Sequence, residues 1–191
     1  MNLSRDPASN PDSEKGLPVS IAASHLDGLV LALTPNSHSY NYRSAVLFGH
    51  AQLVTELDEK LYAMQLVTDG VVPGRWNGSR VPPNAAEMSS TSVLRVRIAT
   101  GSAKIRSGPP GDDRGDLEDT ALLGRVWTGV VPVYTTLGEP IPGPYNKVAA
   151  PPAYLEEYRT ETNADVKGYA VEAALKDLHA AKKVASEEEE H

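Results

Sequence analysis

The chain has 191 residues, no cysteine and a formal net charge of −7, with 40% of its residues hydrophobic. That length fits one domain plus a tail with a core of ordinary size. The negative balance gives nucleic acid and anionic membrane surfaces no electrostatic footing. The lack of cysteine rules out disulfides, thiolate zinc sites and cysteine nucleophiles. No apolar run approaches the roughly 20 residues needed to span a bilayer. The start, Met1 to Lys15, is polar and carries no hydrophobic signal-peptide core, and the lack of cysteine suits a cytoplasmic protein.

Residues 1–15 are rich in Ser, Asn, Asp and Pro and read as a disordered lead-in. Two short apolar runs follow, Leu17 to Ser24 and Gly28 to Thr34. His25-Leu26-Asp27-Gly28 between them reads as a turn, so a hairpin is expected. Tyr42 to Val54 is a third strand, with Gly49 as a candidate bulge. Thr55 to Val67 then shifts to helical spacing through Leu57, Leu61 and Met64, with Thr55 as the expected cap. Residues 70–90 hold Gly, Pro, Asn and Ser and read as a long connection.

Ser92 to Arg106 alternates apolar and polar residues as a strand does. Asp112 to Arg125 opens with acids suited to a helix N-terminus. Val126 to Thr135 is the last expected strand, and Pro132 places it at an edge or a bend. After Pro151-Pro152, helical spacing returns from Asp165 to Ala185. From residue 151 onward ten acidic residues outnumber five basic ones, and Glu187 to Glu190 form a solvated charge run. An acidic, Ala-rich tail of this kind is expected to bury little and to be dispensable for the rest.

Several clusters, in this order, carry a resemblance. They are His25-Leu26-Asp27-Gly28, Asn41-Tyr42-Arg43-Ser44, Val46-Leu47-Phe48-Gly49, Tyr62-Ala63-Met64, Val72-Pro73 with Arg75-Trp76, and Trp127-Thr128-Gly129 with Pro132. Across residues 16–148 the chain resembles the pyridoxamine 5′-phosphate oxidase-like proteins, especially the branch with nitroimidazole-resistance and flavin-nucleotide-binding members. The resemblance implies a mainly β fold, an antiparallel FMN-binding split barrel with small helices. It also implies a homodimer with FMN at the interface. The implied division is a lead-in at 1–15, a split-barrel domain at 16–150 and an acidic, partly helical tail at 151–191. Family members place about two strands and a phosphate-binding helix before the position of Leu17. By that measure the chain looks N-terminally truncated, and weak FMN binding is expected of it.

The resemblance places Tyr42, Arg43, Ser44 and Trp127 at the cofactor. Arg43 matches the Arg of the oxidases' Arg-Gln pair, and Ser44 stands where the flavin-contacting Gln would be, with a shorter reach. Trp127 and Gly129 match the oxidases' Trp-x-Gly, whose Trp lies against the flavin. The alternatives are a surface cation paired with a carboxylate for Arg43, and a core or dimer-interface aromatic for Trp127. The oxidases' downstream Arg-His substrate motif is not visible, which argues against a true pyridoxamine-phosphate oxidase.

Other motifs carry little. The histidines at 25, 38, 50, 179 and 191 have no HxH or HxxxH spacing, so no metal site is expected. His50, after Gly49, stands near a ligand or is simply a strand-facing polar residue. There is no Gly-x-Ser-x-Gly elbow and no phosphate-loop Gly-Lys-Ser/Thr ending. The leading expectation is an FMN-dependent oxidoreductase acting on a small molecule, its catalytic residues unidentified. The alternatives are a non-catalytic split-barrel remnant and a binder of another planar cofactor, haem or deazaflavin.

Overall fold

A computed structural model describes residues 16–176. The lead-in at 1–15, the end of the helix expected to reach Ala185, and the Glu187–Glu190 charge run lie outside the described residues. In chain order the elements are β1 (Leu17–Leu31), β2 (Ser39–Leu53), α1 (Leu57–Val71), α2 (Ala85–Ser90), β3 (Leu94–Arg106), α3 (Arg114–Glu118), α4 (Thr120–Leu123), β4 (Gly129–Pro132) and α5 (Ala153–Leu175). The four strands form one antiparallel sheet in the order β3-β2-β1-β4, so the fold is mainly β with small helices and a C-terminal helix.

The expected hairpin within residues 17–34 is not there: β1 runs straight through His25-Leu26-Asp27-Gly28. Tertiary pairing overrides the local turn preference. Gly28 stands opposite Pro132 in the β1–β4 ladder, which continues through Val30 opposite Val130 to Leu31 opposite Gly129. A Cβ on Gly28 would come within 2.8 Å of Val130 Cγ1, so the glycine serves close strand approach. The reversal comes later, at residues 32–38, through a 3₁₀ turn at Pro35–Ser37. There His38 Nδ1 accepts the Ala32 amide at 2.9 Å and Thr34 Oγ1 donates to Ser37 Oγ at 2.8 Å.

Other boundaries also move. Thr55 does not cap α1; the cap position is Glu56, without a side-chain hydrogen bond. The connection expected over residues 70–90 contains α2, closed by a capping box in which Asn84 Oδ1 accepts the Glu87 amide and Glu87 Oε2 accepts the Asn84 amide. The helix expected over residues 112–125 is two short helices, α3 and α4. Asp119 stops the first and caps the second by accepting the Ala121 and Leu122 amides at 3.0 Å. Pro132 lies on β4, an edge strand as its missing N–H requires.

The chain divides into two units. Within the described residues, the first comprises 16–22, Val46–Ser102 and Val148–Tyr158. In it β2 and β3 approach closely at Gly49, where a Cβ would collide with the Arg97 carbonyl oxygen. Gly49 therefore marks close backbone contact. Val54 donates its amide to the Val93 carbonyl at 2.9 Å, and Arg95 pairs with Glu59 at 3.2 Å. Tyr154, in the first turn of α5, accepts a hydrogen bond from Arg75 Nη1 at 3.0 Å.

The second unit comprises Ala23–Ala45, Ala103–Lys147 and 159–176. Its core includes Val30, Ala32 and Leu33 from β1 and the residues after it, and Ala170 and Ala173 from α5. Asn41 is fully buried and fully used. It donates to the Gly108 carbonyl at 3.1 Å and the Ala173 carbonyl at 3.4 Å, and accepts from Arg106 Nη1 at 2.6 Å. Ala173 also accepts the Gly108 amide at 2.7 Å. Asn163 exchanges two hydrogen bonds with the Leu137 backbone, at 2.7 and 2.9 Å. The C-terminal helix thus begins twelve residues before the expected Asp165, at Ala153, and of the tail expected to bury little, Ala170 and Ala173 are buried in this unit.

Candidate functional site

Tyr42, Arg43 and Ser44 are consecutive residues of β2, half-buried in the second unit. Arg43 has the carboxylate partner raised as its alternative reading. Its Nε and Nη2 donate to Asp27 Oδ2 and Oδ1 at 3.0 and 2.8 Å, a bidentate pair. Asp27 is only 4% exposed. The guanidinium also lies 3.7 Å from the centre of the Tyr169 ring of α5. The Asp27 hydrogen bond is the main cause that holds the Arg43 guanidinium above its ordinary pKa; burial opposes it, and the charges of Asp27 and Tyr169 add to it. Nη1 is left without a hydrogen-bond partner among the described residues. Ser44 Oγ donates weakly, at 3.4 Å, to the Lys104 carbonyl.

Trp127 precedes β4 and is 65% exposed. Its ring lies over Gly129, whose φ of +151° and lack of a Cβ make room for it; a Cβ there would meet Trp127 Cη2 at 2.8 Å. Arg43 and Trp127 mark opposite ends of the β1–β4 ladder. Arg43 is bound to Asp27, next to Gly28 opposite Pro132, whereas Trp127 packs on Gly129, opposite Leu31. At about 3.3 Å per residue, Asp27 and Leu31 are on the order of 13 Å apart along β1. Between them the directly opposed pair Leu29 and Val131 is exposed, at 36% and 43%. The four residues expected at the cofactor therefore do not converge on one atom. Arg43 and Trp127 flank an apolar strip, with the cation at one end and the aromatic ring at the other, whereas Tyr42 and Ser44 alternate to the opposite face of β2.

Two concavities lie in the first unit, and neither includes these four residues. One, of about 390 Å³, is lined by Leu61 and Tyr62 of α1 with Trp76, Val81 and Pro82. Trp76 is held there by its amide, which donates to Asp69 Oδ1 at 2.7 Å. The other, of about 400 Å³, lies over the sheet between Pro18 and Val19 of β1, Phe48 and His50 of β2, and Ala99 of β3. Among the described residues no three His, Asp or Glu side chains cluster so as to hold a bare metal ion. No helix among them is long and apolar enough to cross a membrane.

The sequence missed Asp27 because it sits in what reads locally as a turn, and Tyr169 because nothing in the spacing links residue 169 to residue 43. A lone acid inside an apolar run, with an Arg on a neighbouring strand, was the available signal.

The model of the pyridoxamine 5′-phosphate oxidase family matches residues 8–105. Among solved structures, the chain is similar to the flavocytochrome Anf3 from Azotobacter vinelandii. The two are 31% identical, with a TM-score of 0.66, over 80% of this chain and 70% of that one. It is also similar to an FAD- and haem-binding protein from Mycobacterium smegmatis, at 30% identity and a TM-score of 0.66, over 74% of this chain and 67% of that one. No curated protein matches significantly. With a family model matched across half its length and a similar structure above 30% identity, the chain belongs to the pyridoxamine 5′-phosphate oxidase family.

Proposed function

We propose that this chain is a flavin-binding protein that works as a cytoplasmic homodimer and transfers electrons to or from a small molecule, with FMN as its flavin. Family membership, together with similarity to a flavocytochrome and to an FAD- and haem-binding protein, supports the flavin. The carrying observation within the chain is Trp127, an exposed ring backed by Gly129 at the end of the exposed Leu29–Val131 pair. A flavin ring needs an apolar face to stack on and donors at its polar edge. Trp127 and the strip offer the first, and the free Nη1 of Arg43 suits the second; Tyr42 and Ser44, its neighbours on β2, face the other side of the sheet and would serve a flavin only there. The bound flavin would supply the redox chemistry; these residues would place it. The missing Arg-His motif points to a substrate other than pyridoxamine phosphate.

Exposed apolar side chains favour the dimer. In the first unit Leu17, Ile21, Leu94 and Ile98 are all exposed on strands, at 41–57%. A second copy would remove this surface from water.

Fluorescence titration of the purified protein with FMN, FAD and riboflavin tests the cofactor, and light scattering tests the dimer. Trp127→Ala should weaken flavin binding about two- to tenfold, the scale of one aromatic stacking contact. Trp127→Phe should recover most of it. Absence of binding to all three flavins would overturn the reading; a clear preference for FAD would replace FMN as the cofactor.

A second reading adds haem. One similar structure is a flavocytochrome and the other an FAD- and haem-binding protein, and this chain has a histidine in an apolar groove.

A further inference from the structure

We propose that the groove over β1, β2 and β3 in the first unit is a haem site, with His50 as axial ligand to the iron and Arg97 as the partner of a propionate. This rests on the haem reading above and gives it an address.

The groove suits a flat, largely apolar ring with an acidic edge. Pro18, Val19 and Ala99 supply apolar walls, and Phe48 lies on the same face of β2 as His50, two residues away. Its volume of about 400 Å³ lies in the range of ligand clefts, and it is shallow and broadly open to solvent. The His50 ring is half-buried and has no hydrogen bond among the described residues, so neither ring nitrogen is committed to another group. Its backbone is firmly placed. At the preceding Gly49, β3 comes so close that any side chain would strike the Arg97 carbonyl oxygen.

Arg97 stands two residues before Ala99, hence on the same face of β3. It is exposed and has no partner among the described residues, whereas Arg95 is paired with Glu59. A free guanidinium at the rim of an apolar groove is the group a carboxylate-bearing ring would meet. The other described histidines fit less well. His38 Nδ1 already accepts the Ala32 amide, so the neutral ring carries its proton on Nε2. His25 is exposed on β1 and lines neither groove.

The test is titration of the full chain with hemin, followed by the Soret band and by electron paramagnetic resonance of the ferric iron. Circular dichroism and flavin titration check each variant's fold. The wild type should bind one hemin with the signature of nitrogen ligation. His50→Ala should lose that signature and bind roughly tenfold or more weakly, at least the scale of lesser changes around a metal site. Added imidazole should restore the signature in His50→Ala. Arg97→Gln should keep the signature and weaken binding several-fold. An unchanged spectrum in His50→Ala, or loss of the signature in His25→Ala instead, would overturn the assignment while haem binding itself survives. A wild type that binds flavin but no hemin would overturn the site and leave the flavin reading intact.

Discussion

Replacing Arg43 with alanine should destabilise the protein through the residue it leaves behind. Asp27 is 4% exposed, and Arg43 supplies both hydrogen bonds to its carboxylate, at 3.0 and 2.8 Å. Removing one partner of a buried ion pair costs about 3–5 kcal/mol, because the other charge stays buried. Here the Arg43 side chain is 37% exposed, so water can enter the vacated space and lower the cost. Loss of the contact with Tyr169, 3.7 Å away, adds about 0.5–1 kcal/mol at a partly exposed site. The sum should be about 2–4 kcal/mol. Asp27→Asn keeps the shape and one acceptor and should cost less, about 1–2 kcal/mol. The double variant should be more stable than additivity predicts, with a coupling of about 1–3 kcal/mol. Urea unfolding at one fixed protein concentration, followed by circular dichroism, measures all four. A loss within about 0.5 kcal/mol for Arg43→Ala, as at ordinary surface positions, would refute the reasoning.

Gly49→Ala should destabilise by about 1–3 kcal/mol, since its Cβ would strike the backbone of β3, whereas Gly70→Ala in α1, with nothing within 4 Å, should stabilise by about 0.4–1 kcal/mol; urea midpoints compare them. Ending the chain at Ala150 should broaden and lower the thermal transition strongly, because it removes Ala170, Ala173, Tyr169 and the Asn163–Leu137 hydrogen bonds from the second unit. An unchanged melting curve would show that α5 contributes nothing. Glu87 is held below the usual carboxylate range, first by its hydrogen bond from Arg80 and then by the Asn84 amide. Its contribution to the α2 capping box is therefore present above the ordinary carboxylate pKa and lost as pH falls through the lowered value. A carboxyl-carbon NMR titration should find the Glu87 midpoint lowered, and Arg80→Ala should move it back up.

The sequence by itself determined the fold class and the family, because both depend on local periodicity and on the order of short clusters. The alternation of Ser92 to Arg106 became β3, and the spacing through Leu57, Leu61 and Met64 became α1. Pro132 reached an edge strand because a missing N–H is a local fact with only one tolerable place in a sheet. Tertiary structure decided what depended on partners distant in the chain. Asp27-Gly28 has the composition of a turn, but pairing with β4, the charge of Arg43 and the place of β1 between β2 and β4 keep it in a strand. The tail from residue 151 has the composition of a solvated segment. It packs nonetheless, because α5 needs only two small side chains, Ala170 and Ala173, to approach its unit, and the Ala173 carbonyl meets the donors of Asn41 and Gly108. The position of Arg43 and Trp127 at opposite ends of one ladder could not be read from their spacing, since it follows from the register of β1 against β4. Register is set by side-chain fit across strands, and the two residues that fix it, Gly28 and Val130, lie about a hundred positions apart.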